Sequence, residues 1–452
     1  MEKNLILDTD SYKLSHYKQY DPSVTGLASH ITARGIAKEF PAYGKHVYFG
    51  LQAWIKENLE GKKVTKEMVD EAKEFAEMHG EPFNALGWEK LVNTYAGIIP
   101  IEIQGIDEGS VVPVKTPLVQ VISRDPDLKW IESYLETSLL RGIWYPSTVA
   151  TLSYQMKQRI KIFWDMTVDE ENMGGLDYAL HDFGGRGVSS FESAGLGGMA
   201  HLLNFRGSDT ITGILFAKKY YGGKMAGFSV PAAEHSTITS WGPDRELEAV
   251  SNIIDVYGGP GKIYSVVGDT YDIYNFVDNY VSGSLLQKIK DKGGRFVVRP
   301  DSGNPDEVLT KIMNIFERKG LFTLNRKGFK VLPDYLRVLW GDGISFESVY
   351  EILLCMKRLG WSAENFVFGM GGALLQKLNR DSLKFSMKLN AIQLSDSSSM
   401  WYPVYKNPVT DPSKASRGGY INDIPTVWFN GHWQKKIEDF DIVRKKVLDT
   451  AN

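Results

Sequence analysis

Between about residues 178 and 373, short apolar or β-branched runs recur along the chain. Each ends in Gly, Asp or His and is followed by a helix-like segment. The runs end near Asp182, Asp209, His235, Asp269, Asp301, Asp342 and Gly371, at intervals of 27, 26, 34, 32, 41 and 29 residues. One strand–helix–strand unit takes about 30 residues or more. Seven such units in a row predict an α/β fold, an irregular seven-stranded α/β barrel, with an open doubly wound sheet as the alternative. In a barrel the polar residue closing each strand points into one shared mouth. A single Asp or Gly at such a place needs no reason beyond starting a turn. Seven ends carrying Asp, His, Arg and Gly together point to a site.

Helix ends are marked between the runs. Ser189-x-x-Glu192 has the spacing of a capping box, Pro305 suits a first helical turn, and Gly320 suits the stop after it. Pro243 and Gly258 bracket another helix in the same way. Before the repeat, residues 65–79 are charged and helix-like, while residues 100–122 read as strands separated by turns. With 452 residues, a prior of about 150 per domain allows three parts. The expected division is a flanking α+β domain over 1–177, the barrel with the active site over 178–384, and a segment over 385–452 that packs with the N-terminal domain.

Composition removes several functions. The 52 basic and 55 acidic side chains leave a charge of −3, which argues against a broad basic face and a nucleic-acid partner. The 43% hydrophobic and 24% charged content is that of a folded globular chain. One cysteine, Cys355, permits neither an internal disulfide nor a thiolate metal cluster. None of the eight histidines stands in His-Glu-x-x-His or another close ligand pair, so no protein-ligated transition metal is expected. The apolar run Leu5-Ile6-Leu7 is too short for a signal peptide, and no stretch approaches about 18 apolar residues. The expectation is a soluble cytoplasmic protein without a membrane partner.

Four glycine-bearing loops stand at the ends of the runs: Gly184-Gly185-Arg186-Gly187, Asp301-Ser302-Gly303-Asn304-Pro305, Gly341-Asp342-Gly343 and Gly369-Met370-Gly371-Gly372. Glycine lets a backbone approach a ligand closely, and N–H groups at a helix start favour anions. Arg186, Arg299 and Arg380 lie near these loops, and guanidinium forks suit phosphate oxygens. Asp269, Asp301 and Asp342 could bind sugar hydroxyls, hold Mg²⁺ through water, or stabilise a cationic transition state. His235 at a run end is a candidate acid, base or nucleophile. Gly195-x-Gly197-x-x-Ala200 has the letters of a dinucleotide fingerprint but falls inside an expected helix, not after a strand. The residues thus describe an enzyme acting on a phosphorylated, hydroxyl-bearing small molecule, and they leave the reaction open.

Eight motifs in order resemble the nicotinamide phosphoribosyltransferase family. They begin with Asp10-Ser11-Tyr12-Lys13 and His16-Tyr17-Lys18-Gln19-Tyr20, then His181-Asp182-Phe183-Gly184 with Arg186-Gly187-Val188-Ser189-Ser190. Asn204-Phe205 to Asp209-Thr210, Val230 to Thr237, Asp269 to Tyr274, Arg299 to Pro305, Gly341-Asp342-Gly343 and Gly371 to Lys377 follow. The resemblance runs from about residue 5 to about 415. It implies that nicotinamide and phosphoribosyl pyrophosphate give nicotinamide mononucleotide and pyrophosphate, with Mg²⁺ on the pyrophosphate. It implies ATP as an activating co-substrate acting through a phosphorylated histidine, and a homodimer with shared active sites.

The resemblance also implies roles for single residues. Phe183 and the partner subunit's Tyr12 sandwich the pyridine ring, and the partner's Asp10 supports that pocket. Asp209 accepts from the carboxamide NH₂, and Arg299 lies on the carboxamide and phosphate side. His235 is phosphorylated and Asp269 orients it. Asp301 and Asp342, with the Gly341 backbone, hold the ribose hydroxyls. Gly371 and Gly372 seat the 5′-phosphate, and Arg34, Arg186, Arg380, Lys388 and Lys406 line the phosphate and pyrophosphate sites. The competing readings are nicotinate phosphoribosyltransferase, which Asp209 discriminates by its charge, and a dinucleotide-binding oxidoreductase.

Overall fold

The structure is a computed structural model, and it describes residues 3–395 and 400–451. Two large sheets organise it. The first has six parallel strands in the spatial order Gly207–Ser208, Leu180–Asp182, Phe366–Met370, Leu336–Trp340, Arg295–Arg299, Ile263–Val267. Its sequences are runs such as Phe296-Val297-Val298 and Val338-Leu339-Trp340, buried throughout, as suits strands covered on both faces. The register sets Asp182 beside Met370, Phe368 beside Trp340, Val338 beside Val298, and Val267 beside Arg299. Chain-distant strand ends therefore lie level with one another.

The sheet has six regular strands, not the seven expected. The seventh run, over residues 228–233, makes only isolated pairs to the two outer strands. Ser208 N–H donates to the Phe228 carbonyl at 3.0 Å, and Ser265 N–H donates to the Pro231 carbonyl at 2.9 Å. Ala233 N–H returns a bond to the Ser265 carbonyl at 2.9 Å. Pro231 has no N–H to give, so a continuous ladder cannot run through this segment.

Between the parallel strands run helices whose ends follow from their sequences. Asn304 caps Pro305–Arg318 through a bond from Glu307 N–H, and Gly320, at φ +70°, follows its end. Glu246–Tyr257 lies between Pro243 and Gly258 as expected. The cap of Phe191–His201 is Ser190, which accepts from Ser193 N–H at 3.0 Å, and not Ser189. The cap is thus displaced by one residue, and it is a single N-cap bond from Ser193 N–H in place of the expected box. Gly195 and Gly197 lie inside this helix.

The second sheet has seven antiparallel strands: Tyr402–Pro403, Phe385–Leu394, Val24–Ala33, Pro117–Ser123, Glu102–Gly105, Thr426–Phe429, His432–Trp433. Both ends of the chain build it, and its central pairing joins Ala28 to Ala391 and to Ile122.

A long helix, Glu136–Thr167, joins the two regions. It packs on Phe191–His201, on Phe346–Arg358 and on the strand Phe385–Leu394. Pro146 inside it cannot bond the Gly142 carbonyl. Gly50, at φ +115°, comes up against that carbonyl, where an added Cβ would stand 2.3 Å from the oxygen. Among the described residues no helix is long and apolar enough to cross a membrane.

Candidate active site

The ends of the parallel strands bring together the residues expected there. Leu180–Asp182 leads into Phe183, whose N–H donates to the Met370 carbonyl at 2.9 Å. The Phe183 ring then lies across the neighbouring strand at Gly369. A Cβ on Gly369 would meet ring carbons at 2.1 and 2.2 Å, so only glycine fits beneath that ring. From the other side Gly341 approaches, where a Cβ would stand 3.3 Å from the Phe183 ring and 3.4 Å from Asp301 Oδ1. Phe183, Gly341 and Asp301 are therefore neighbours. Asp342, next along, is exposed and accepts the Trp340 indole N–H through its carbonyl at 2.6 Å.

Asp209 follows the strand Gly207–Ser208 and is exposed at the mouth. Its N–H donates to the Asp182 carbonyl at 2.9 Å, and one carboxylate oxygen accepts the Ser229 hydroxyl at 2.5 Å. Asp182 lies buried behind it. Burial first, and then the Asp209 charge, raise its carboxyl to about 6, against a bond from Gly184 N–H at 2.7 Å that favours the ionised form.

His235 begins the short helix His235–Thr239, and its Nε2 is 3.0 Å from Asp269 Oδ1. The other Asp269 oxygen accepts the Ser302 hydroxyl. The imidazole is 44% exposed while Asp269 is 7% exposed, so a buried carboxylate orients a ring that stays open to a reactant. Arg299 reaches Asp301 Oδ2 from Nη2 at 3.2 Å and the Ala233 carbonyl from Nη1 at 3.5 Å, and so ties the His235 side to the Asp301 side. Its Nε is buried without a partner.

Gly371 precedes the short helix Gly372–Leu375, and nothing lies within 4 Å of where a Gly372 side chain would begin. The loop bearing Arg186 touches this turn, since a Cβ on Gly187 would stand 3.2 Å from Gly372 Cα. Arg186 itself is exposed.

The remaining expected residues lie on the N-terminal segment and on or near the strand Phe385–Leu394. Arg34 Nε donates to the Lys384 carbonyl at 3.2 Å. Lys388 lies on the strand Phe385–Leu394, with Nζ bonded to the Met387 carbonyl at 2.7 Å. Burial lowers the Lys388 ammonium; Glu136 supports its charge, while Arg34, Lys13 and Lys406 oppose it. Arg380 is 52% exposed and 3.5 Å from Asp381. Asp10 accepts the Thr137 hydroxyl at 2.7 Å, and Tyr12 is 56% exposed with its ring edge-on to His16 at 4.8 Å. Within one chain Asp10 thus rests on the long helix and Tyr12 on its own N-terminal neighbour His16. Among the described residues no group of three or more His, Cys, Asp or Glu could hold a metal ion.

Three residues in these surroundings were not singled out by sequence reasoning as parts of the site: Ser229, Ser302 and Glu136. Ser302 adjoins named residues, which is a usable signal. Ser229 and Glu136 carry none, because only the fold sets them beside Asp209 and Lys13.

Comparison with known proteins fits this geometry. Residues 178–435 match the model of the nicotinate phosphoribosyltransferase (NAPRTase) family, and residues 4–103 match that of the nicotinamide phosphoribosyltransferase N-terminal domain. A nicotinamide phosphoribosyltransferase of Xanthomonas campestris pv. campestris is 44% identical over 418 residues, spanning 92% of this chain and 87% of its own. The chain belongs to the nicotinamide phosphoribosyltransferase family. Another member, from Mycoplasma pneumoniae, is 31% identical across 92% of this chain and 95% of its own. The family fold extends to remote structures. A nicotinate-nucleotide pyrophosphorylase from Pyrococcus furiosus superposes with a TM-score of 0.60 at 16% identity, over 100% of this chain and 96% of its own. The human nicotinic acid phosphoribosyltransferase gives 0.55 at 15% identity, over 97% and 92%.

Proposed function

We propose that this chain transfers the phosphoribosyl group of phosphoribosyl pyrophosphate to nicotinamide, giving nicotinamide mononucleotide and pyrophosphate. The observation that carries this reading is that the strand ends of one parallel sheet carry an aromatic ring, a carboxylate able to accept from an amide and, beside Asp269, an oriented histidine. Family membership supplies the substrate class.

In this reading the pyridine ring stacks on Phe183, and the partner's Tyr12 covers its other face. Such stacking contributes about 0.5–1.5 kcal/mol beyond buried area. The exposed Tyr12 ring supports a homodimer with shared sites. Asp209 keeps one oxygen free of Ser229 to accept the carboxamide NH₂, with the partner's Asp10 supporting the pocket. The ring nitrogen attacks C1 in line, and the C1–O bond to pyrophosphate breaks with its electron pair leaving on oxygen. The ribose passes through a cationic state that Asp301 and Asp342 stabilise more than they stabilise the ground state. Gly371 and Gly372 seat the 5′-phosphate, beside Arg186. Arg34, Arg380, Lys388 and Lys406 hold the departing anion, and Arg299 holds Asp301 in place. Mg²⁺ enters with phosphoribosyl pyrophosphate as part of the substrate.

ATP drives turnover through His235. Asp269 holds Nε2, which leaves the Nδ1 lone pair to attack the γ-phosphorus and release ADP. Water later takes the phosphoryl group from the histidine. The segment 228–233 acts as the seventh stave of the barrel, and this places His235 in the same mouth as Asp301. The divisions at 177/178 and 384/385 separate the barrel from the domain that both chain ends build, and the protein works in the cytoplasm. Incubation with nicotinamide, phosphoribosyl pyrophosphate and Mg²⁺ is expected to yield the mononucleotide, faster with ATP. No mononucleotide under either condition overturns the reading.

A further inference from the structure

The N-terminal residues around Tyr12 are fastened on both sides to one place, the start of the long helix Glu136–Thr167. Before Tyr12, the Thr9 hydroxyl donates to the Tyr134 carbonyl at 2.9 Å, and Asp10 exchanges bonds with Thr137 at 3.2 and 2.7 Å. After Tyr12, Lys13 turns inward. Its Nζ donates to Ser133 Oγ at 3.0 Å and to Glu136 Oε2 at 2.5 Å, and lies 5.6 Å from the centre of the Tyr12 ring. Lys13 is 3% exposed and Glu136 23% exposed, so this pair is shielded far more than a surface ion pair.

The charge at this helix start also acts on the cationic group. The long helix packs on the strand that carries Lys388. Glu136 is the carboxylate that supports the Lys388 charge, against three cations, Arg34, Lys13 and Lys406, that oppose it. A second carboxyl, Glu132, lies 1% exposed nearby, and burial raises it to about 8, so at neutral pH it is mostly protonated and adds little charge. Glu136 thus pairs directly with Lys13, and its charge also acts on Lys388, whose Nζ bonds the Met387 carbonyl.

We propose that Glu136 is a positioning residue joining the two halves of the site. Through Lys13 it fixes the segment that presents Tyr12, and through its charge it competes with substrate phosphate for Lys388. This rests on the reading above, in which Lys388 binds pyrophosphate and Tyr12 stacks on the base. A carboxylate beside an anion site weakens anion binding. Its place there is explained if it keeps pyrophosphate from being held too tightly to leave, while anchoring the aromatic lid of the neighbouring pocket.

Three variants test this, read by calorimetric binding of magnesium pyrophosphate and by steady-state kinetics with nicotinamide. Glu136→Gln keeps the shape and removes the charge. Pyrophosphate should bind about three- to tenfold tighter, the range for loss of one partly shielded unit charge. The KM for nicotinamide should rise several-fold in the same protein, with kcat changing less. Glu136→Asp restores the charge but shortens the reach to Lys13, so pyrophosphate affinity should return to the wild-type value while the nicotinamide KM stays raised. A purely structural Glu136 would instead weaken both ligands together and lower the melting temperature, and that result overturns the proposal. Lys388→Ala separates the two levels. If it leaves pyrophosphate binding unchanged, the placement of the phosphate site is wrong. If it weakens binding while Glu136→Gln tightens nothing, only the Glu136 link is wrong.

Discussion

Replacing Gly369 by alanine tests how the ring pocket is built. The added methyl would stand 2.1 and 2.2 Å from two carbons of the Phe183 ring and 2.9 Å from a third. Carbon atoms pack at about 3.5–4.0 Å, so the ring must retreat by more than about 1 Å. Gly369 is buried in a strand paired on both sides, which leaves the backbone little room to yield. Overpacking of this kind costs about 1–3 kcal/mol of stability. A reactant displaced by about 1 Å can lose about 100-fold in rate. Gly369→Ala should therefore lower kcat/KM for nicotinamide by about 10–100-fold and reduce the melting temperature by a few degrees. Gly174→Ala, where nothing lies within 4 Å of the new methyl, should change neither. The assay is mononucleotide formation at several nicotinamide concentrations, with thermal unfolding in parallel. An unchanged kcat/KM in folded Gly369→Ala would refute the placement of the base on Phe183.

Three other expectations follow from the site and the buried acids. Asp209→Asn should raise the ratio of kcat/KM for nicotinate over nicotinamide by about 10–100-fold, because a like-charge contact worth a few kcal/mol is removed; competition between the two bases measures it, and a constant ratio removes this role. His235→Ala should abolish ATP hydrolysis and lower transferase activity without ending it, as ADP and mononucleotide assays would report; intact ATP hydrolysis would name another histidine. Glu132 sits at about 8 in the fold against an ordinary 4.5, so the folded state holds its proton longer and stability falls as pH rises between those values. Glu132→Gln should remove that slope and leave the variant the more stable protein at pH 9, which chemical unfolding at pH 5 and pH 9 checks.

The parallel half of the fold was legible because each strand is a short buried run with its polar residue at the end. Asp182, Asp269, Asp301 and Gly371 all fall just where runs stop, at or beside strand termini. The run ending near His235 was visible too, but Pro231 leaves it only isolated pairs. The helix-end residues Pro305, Gly320 and Gly258 kept their local meaning, since capping depends on neighbours in the chain. Ser190 displaced Ser189 because the two serines are equally suited, and only packing chooses the first turn. The antiparallel sheet was not legible as one object. Its pairing of Ala28 with Ala391 crosses most of the chain, and no local pattern encodes such a partner. For the same reason Glu136 looked like one more helical glutamate, although it pairs with Lys13.

The central claim is that this mouth joins nicotinamide, in preference to nicotinate, to a phosphoribosyl group. The most direct measurement supplies both bases at equal concentration with phosphoribosyl pyrophosphate, Mg²⁺ and ATP, and identifies the nucleotide products by mass. Nicotinamide mononucleotide is expected in large excess. Nicotinate mononucleotide as the main product, or neither nucleotide, would contradict it.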